Sequence, residues 1–167
     1  GQNDLYLIST RRDRTRRLTN DLFDDFDPSF VPGSNTLIFS SNRTSDTVNT
    51  VRRDFGKAST NYNLFSYNLD TTTNVVTRLT NTLSTDFAPK AVDENTIYYL
   101  SDQRGIINLF RFNRQTGVYA QMTNFQSSIK TYDLNAGNRV FAVVMTNRLY
   151  EDIFVYPSFN FDRQIFT

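Results

Sequence analysis

The sequence has 167 residues and a mass of 19.4 kDa, with 38% hydrophobic and 14% aromatic residues, enough to bury a core and too much for wholesale disorder. Eighteen Lys and Arg against 17 Asp and Glu leave a net charge of +1, so no global field selects nucleic acid or an anionic membrane. Cysteine and histidine are absent, which removes disulfides, thiolate metal sites, cysteine nucleophiles and the commonest general base. Fifteen Phe and nine Tyr with many Thr and Val favour strands. No apolar run approaches the about 18 residues of a membrane helix.

The first predicted strand covers Asp4–Ser9, where Asp4-Leu5-Tyr6 sets a marker of Asp or Asn, an aliphatic residue and an aromatic. A second strand follows at Arg16–Thr19, within Arg17-Leu18-Thr19-Asn20. Strands are then expected near Pro28–Val31 and at Asn35–Phe39. An insertion at Thr44–Thr60 precedes Asn63-Leu64-Phe65, which restates the first marker, and Arg78-Leu79-Thr80-Asn81, which restates the second. The cycle repeats at Pro89–Val92, Asn95–Tyr99, Asn108-Leu109-Phe110 and Gln121-Met122-Thr123-Asn124. It repeats again at Thr131–Leu134, Asn138–Phe141, Asp152-Ile153-Phe154 and Gln164–Thr167.

The aliphatic residue of the first marker recurs after 59, 45 and 44 residues, and the apolar residue of the second after 61, 43 and 43. Two markers keeping one period, with one interval lengthened by the insertion, define a four-strand repeat. A lone four-stranded sheet cannot bury both faces, and radial stacking solves this, so the fold class is all-β, built of β-propeller blades. With strands lettered A to D from the centre outward, residues 1–20 form a half-blade (C and D). Residues 21–81 form a blade with insertion 44–60, and 82–124 and 125–167 form two more, the last D strand falling at Arg163–Phe166. Fourteen strands make three and a half blades, short of the about four that closure requires. The chain is therefore expected to be an arc completed by further blades of the same polypeptide, with ring assembly of several copies as the alternative.

The order of markers resembles the WD-like repeat of the TolB propeller, which also occurs in the propellers of prolyl-oligopeptidase-type peptidases. Asp25-Phe26-Asp27-Pro28-Ser29-Phe30-Val31-Pro32-Gly33 matches the opening of that repeat, with Phe30 at its Trp position. Ser41-Asn42-Arg43 matches its S-x-R, and Arg16-Arg17-Leu18-Thr19 its R-x-L-T ending. The next blade keeps Asp86-Phe87-Ala88-Pro89 and Ser101-Asp102-Gln103-Arg104, one residue longer before the arginine. The last drifts: Tyr132 stands at the proline position, and Thr146-Asn147-Arg148 stands for S-x-R.

Candidate sites are few. Asp24, Asp25 and Asp27 cluster, but a calcium loop also needs a Gly and a distant bidentate Glu, so Asp25 is expected to bond the turn into strand A. No metal or cofactor site is expected. Arg11, Arg12, Arg14, Arg16 and Arg17 form a basic run that spans the C–D turn and enters the outermost strand, where charge discourages sheet-to-sheet pairing and an acidic partner is the functional alternative. Arg43, Arg104 and Arg148 recur after strand B; they either present a row of cations to an anionic ligand or, as the resemblance implies, tie turns together. The insertion carries Arg52, Arg53 and Phe55, and its excision is expected to spare folding and weaken a partner. Phe23, Phe125, Phe159 and Phe161 are aromatics that would stack on sugars if exposed. The partner-contact set is accordingly Arg43, Arg52, Arg53, Phe55, Arg104 and Arg148.

No Gly-x-Ser-x-Gly elbow, phosphate loop or dinucleotide fingerprint occurs, and no carboxylate pair is singled out. The expected function is non-enzymatic. The resemblance implies a protein-interaction scaffold of a bacterial cell envelope, periplasmic or outer-membrane-associated and at most peripheral to the membrane. A substrate-gating propeller of a larger peptidase and a glycan-binding propeller are the alternatives.

Overall fold

The computed structural model describes residues 2–48 and 58–165, and every helix or strand assigned in them is a β-strand. β1 (Tyr6–Ser9) and β2 (Arg14–Arg17) form a two-stranded sheet. β3 (Asp25–Phe30), β4 (Thr36–Ser41), β5 (Asn63–Asn68) and β6 (Thr77–Arg78) form a four-stranded one, as do β7 (Asp86–Ala91), β8 (Thr96–Ser101), β9 (Asn108–Asn113) and β10 (Tyr119–Gln121). β11 (Ile129–Asn135), β12 (Val140–Asn147) and β13 (Tyr150–Tyr156) form a last, three-stranded sheet. All neighbours are antiparallel and lie in chain order. The arrangement is an arc of propeller blades.

Strand alternation sends successive side chains to opposite faces, and here both faces are apolar. In β4, Leu37 and Phe39 join Leu5, Leu18, Phe65 and Tyr67 in the core against the half-blade. Ile38, between them, joins Leu64, Ile97, Tyr99 and Phe110 in the next core. β8 divides likewise, with Ile97 and Tyr99 facing back and Tyr98 and Leu100 facing forward onto Ile129, Tyr132 and Phe141. Three cores in series thus hold four sheets, and each sheet is stable only through its neighbours.

Three expectations are corrected. The A strands of the two full blades begin at Asp25 and Asp86, ahead of the prolines. Register shifts between Phe26 and Ser29 and between Phe87 and Lys90 place Pro28 and Pro89 at bulges, where a missing N–H needs no ladder partner. The insertion is not wholly a dispensable loop. Val48 is 1% exposed in the first core, and its N–H donates to Asn74 O at 2.9 Å while Val76 N donates to Asp46 O at 2.7 Å. Excising 44–60 would remove that core contact.

The third correction concerns the fourteenth strand. Residues 163–165 are not a strand, and Ile165 N donates to Gln121 O at 2.8 Å, on the preceding blade. Arg111 Nη1 likewise donates to Phe161 O at 2.9 Å. Aromatic anchoring accounts for this course. Phe161 packs edge-on to Tyr98 at 5.3 Å between centroids, and Phe159 lies 4.7 Å from Phe141.

Candidate interaction surface

The S-x-R position is where sequence offers charge, and the fold treats its three occurrences differently. Arg43, directly after β4, is 1% exposed. Its Nη2 donates to both oxygens of Asp25 at 2.8 Å, Nη1 to Asp21 Oδ2 at 3.3 Å, and Nε to Ser41 Oγ at 3.1 Å. Phe23, Phe39 and Phe65 ring the guanidinium at 5.3, 5.7 and 5.9 Å from their centroids. Arg43 therefore fastens a blade from within and is not presented to a partner, because a guanidinium loses its hydration favourably only against paired carboxylates. Burial pushes the Asp25 carboxyl up, with Arg43 and hydroxyl hydrogen bonds pulling the other way.

Asp86 is the counterpart one blade on, also buried. It accepts Ser101 Oγ at 2.7 Å and Thr82 Oγ1 at 3.1 Å, and burial raises it too, against those hydroxyls. Arg104 sits in an exposed turn after β8, which Gly105 closes at φ 80° with its N–H on Asp102 O at 2.7 Å. Arg148 is exposed in the two-residue turn joining β12 to β13, at φ 57°. Arg104 and Arg148 thus face solvent; Arg52, Arg53 and Phe55 lie outside the described residues.

The acidic cluster disperses. Asp25 serves Arg43, Asp24 Oδ1 accepts Asn3 N at 2.9 Å, and Asp27 Oδ2 accepts Ala88 N at 3.0 Å. Among the described residues no group of three acidic side chains converges on a metal-sized site. The basic run is exposed throughout, with Arg17 paired to Asp4 across the β1–β2 hairpin. The four aromatics proposed for sugar stacking are not displayed. Phe23 and Phe161 are buried, Phe125 stacks on Tyr156 at 5.8 Å, and Phe159 lies on Phe141.

Sequence reasoning missed a polar ladder along the inner strands. Asp27 and Ala88 occupy the bulges of β3 and β7 at φ 50° and 49°, a conformation costly for residues with a Cβ. Asp27 receives the Ala88 N–H, and the Tyr132 hydroxyl, 2.8 Å from Ala88 O and 2.9 Å from Tyr98 O, donates from the next sheet. Lys90 Nζ donates to Asp133 Oδ1 at 2.9 Å and holds that carboxyl below its ordinary range. The D-x-x-Pro spacing marked the bulges but not what they bond. Tyr132→Phe keeps the ring and removes the single O–H donor that these two carbonyls share, so a loss of about 1–3 kcal/mol is expected in urea unfolding.

Open recesses add to this surface. One of about 430 Å³, lined by Ser66, Thr77, Glu94, Asn95 and Arg114, lies between the two full blades. Another of about 390 Å³, lined by Met122, Tyr156, Phe159, Arg163 and Ile165, lies under the closing segment. Neither gathers the converging titratable groups of a catalytic site.

No protein-family model matches the sequence, and no curated protein matches it. Solved structures do. A TolB candidate from Agrobacterium tumefaciens aligns with a TM-score of 0.70 at 16% identity, over 93% of this chain and 52% of that one. TolB from Acinetobacter baumannii aligns with a TM-score of 0.71 at 18% identity, over 92% of this chain and 35% of that one. A puromycin-hydrolysing peptidase of Mycobacterium tuberculosis aligns at 13% identity over 93% of this chain and 34% of that one, with a TM-score of 0.46, and nothing is drawn from it. The fold of this chain is that of TolB propeller blades, and it spans about half or less of those neighbours.

Proposed function

We propose that this chain is an arc of a TolB-like propeller acting as a non-enzymatic protein-interaction scaffold in a bacterial cell envelope, periplasmic or outer-membrane-associated. The observation that carries the reading is the fate of the charged groups. Arg43, Asp21, Asp25 and Asp86 are consumed inside blades, where they hold turns, while Arg104 and Arg148 stand on exposed turns between strands. Charge on loops carried by a rigid frame suits contact with another macromolecule. The envelope location is supported by the likeness to TolB and by nothing in the charge pattern.

A photo-crosslinking residue placed at Arg104 or Arg148 tests this in living cells. A discrete protein adduct, recovered from the periplasmic or outer-membrane fraction, is the expected result. Absence of any protein adduct, together with saturable binding on a glycan array, would replace the scaffold reading with the glycan-binding one.

A further inference from the structure

We propose that the recess between the two full blades is a binding site for a small zwitterion, a free amino acid or a dipeptide, with Arg114 taking its carboxylate and Glu94 its ammonium group. The inference goes beyond the scaffold reading and does not rest on it. Both walls come from four-stranded sheets of this chain. Ser66 on β5 and Thr77 on β6 form one wall, and the β7–β8 and β9–β10 turns form the other. Those turns lie at the opposite ends of the strands from the β8–β9 turn that carries Arg104.

The junction between the half-blade and the first full blade presents the same positions in closed form. Leu69 N donates to Asn35 O at 3.1 Å and Arg114 N to Asn95 O at 2.8 Å, so Arg114 holds the place of Leu69 and Asn95 that of Asn35. On the facing wall, the carbonyls of Leu5 and Leu64 accept Leu18 N and Leu79 N, each at 2.8 Å. Two residues beyond them, Leu7 pairs with Arg16 as Ser66 pairs with Thr77. In the first junction Leu7 and Leu69 pack on the apolar core, and Asn35 Nδ2 closes on Asp70 Oδ1 at 2.8 Å. The second junction has Ser66 and Arg114 in place of the two leucines and Gln115 in place of the aspartate. Hydrogen-bonding groups thus stand where an apolar closure stood, around a recess of about 430 Å³. That volume suits a small ligand.

The charges at this recess are positioned without being neutralised. Arg114 Nη1 donates to the backbone carbonyl of Glu94 at 2.9 Å, which fixes the guanidinium and leaves its remaining N–H groups for a ligand. Asp93 Oδ1 accepts the N–H of Asn95 at 2.8 Å and of Thr96 at 2.7 Å, pinning the turn that carries Glu94. Groups held in place before a ligand arrives cost less to order when it binds. Among the described residues the Glu94 carboxylate enters no ion pair or hydrogen bond. A plain anion would meet repulsion from Glu94 and a plain cation from Arg114, whereas a ligand carrying both charges satisfies both. Leu79 adds an apolar contact, and the lining includes no aromatic ring on which a sugar could stack.

The test uses the whole 167-residue chain and isothermal titration calorimetry with leucine and glycyl-leucine. Because both walls lie in this chain, the outcome does not depend on what further polypeptide completes the arc. Saturable one-to-one binding of glycyl-leucine is expected, weakened about tenfold by N-acetylation and likewise by C-terminal amidation, since each removes a charge-assisted hydrogen bond. Arg114→Gln is expected to weaken glycyl-leucine to the level of its amide while leaving the affinity for the amide unchanged. Glu94→Gln is expected to erase the preference for glycyl-leucine over its N-acetyl form. Ser66→Leu combined with Arg114→Leu restores the closure of the first junction and is expected to abolish binding with an unchanged circular dichroism spectrum. If that double variant does not fold, the two single variants decide. No saturable binding of either compound up to about 10 mM, equal affinity for the dipeptide and its two blocked forms, or full affinity in both single variants would each overturn the proposal. Displacement of glycyl-leucine by an equal concentration of N-acetylglucosamine would also do so, by giving the recess to a sugar.

Discussion

Arg43→Met is expected to destabilise the fold by about 3–5 kcal/mol at neutral pH, although methionine fills much of the same volume. The loss comes from what remains. Asp25 is 3% exposed and Asp21 8%, and without the guanidinium two buried carboxylates lose their cation. The pH dependence gives the mechanism a sign. Asp25 already sits above its ordinary range, first through burial, with the charge and hydrogen bonds of Arg43 opposing. Removing Arg43 lifts it further. An acid whose folded pKa exceeds its unfolded value of about 3.9 contributes stability that is complete below that value and is lost as pH rises through the folded pKa. The deficit of the variant is therefore largest near neutrality and shrinks on acidification. Urea unfolding of both proteins at about pH 7 and about pH 4.5 measures it, and a deficit that widened at the lower pH would refute the account.

The repeat made the blades legible because each marker is local. Asn108-Leu109-Phe110 places an alternating pair on two faces, and the 44-residue spacing says that the same pair recurs where another sheet must cover it. The structural reading of Arg43 was open to sequence for the same reason, since its partner Asp25 opens the same repeat. What sequence did not yield is set by contacts between repeats. Nothing near Asp27 announces that it takes the Ala88 N–H, 61 positions away. Val48 looked like part of a polar loop because the residues that share its core, Leu37 in β4 and Val76 just ahead of β6, lie on either side of the insertion. The last D strand failed because a period predicts position but not competition. Phe161 packs on Tyr98 of the preceding blade and Ile165 N donates to Gln121 O there, so the segment is held on that blade while Phe159 lies on Phe141.

Phe141→Ala is the second large effect, and its location should distinguish a stack of sheets from one shared core. The ring is 0% exposed and meets Tyr132, Tyr156 and Phe159 at 6.3, 6.0 and 4.7 Å between centroids. Truncation is expected to cost about 3–5 kcal/mol, because aromatic neighbours on two strands and the closing segment cannot all move into the cavity. In an array whose sheets touch only adjacent sheets, that loss stays near its origin. Hydrogen exchange should therefore accelerate first in β11–β13 and in residues 157–165, while the amides of β4 and β5 keep their protection. Phe39→Ala, in the core at the other end, should give the opposite pattern, exposing β1 and β2 first. Equal acceleration in all four sheets from either variant would mean that the arc unfolds as one cooperative body, and the serial account of its stability would be wrong.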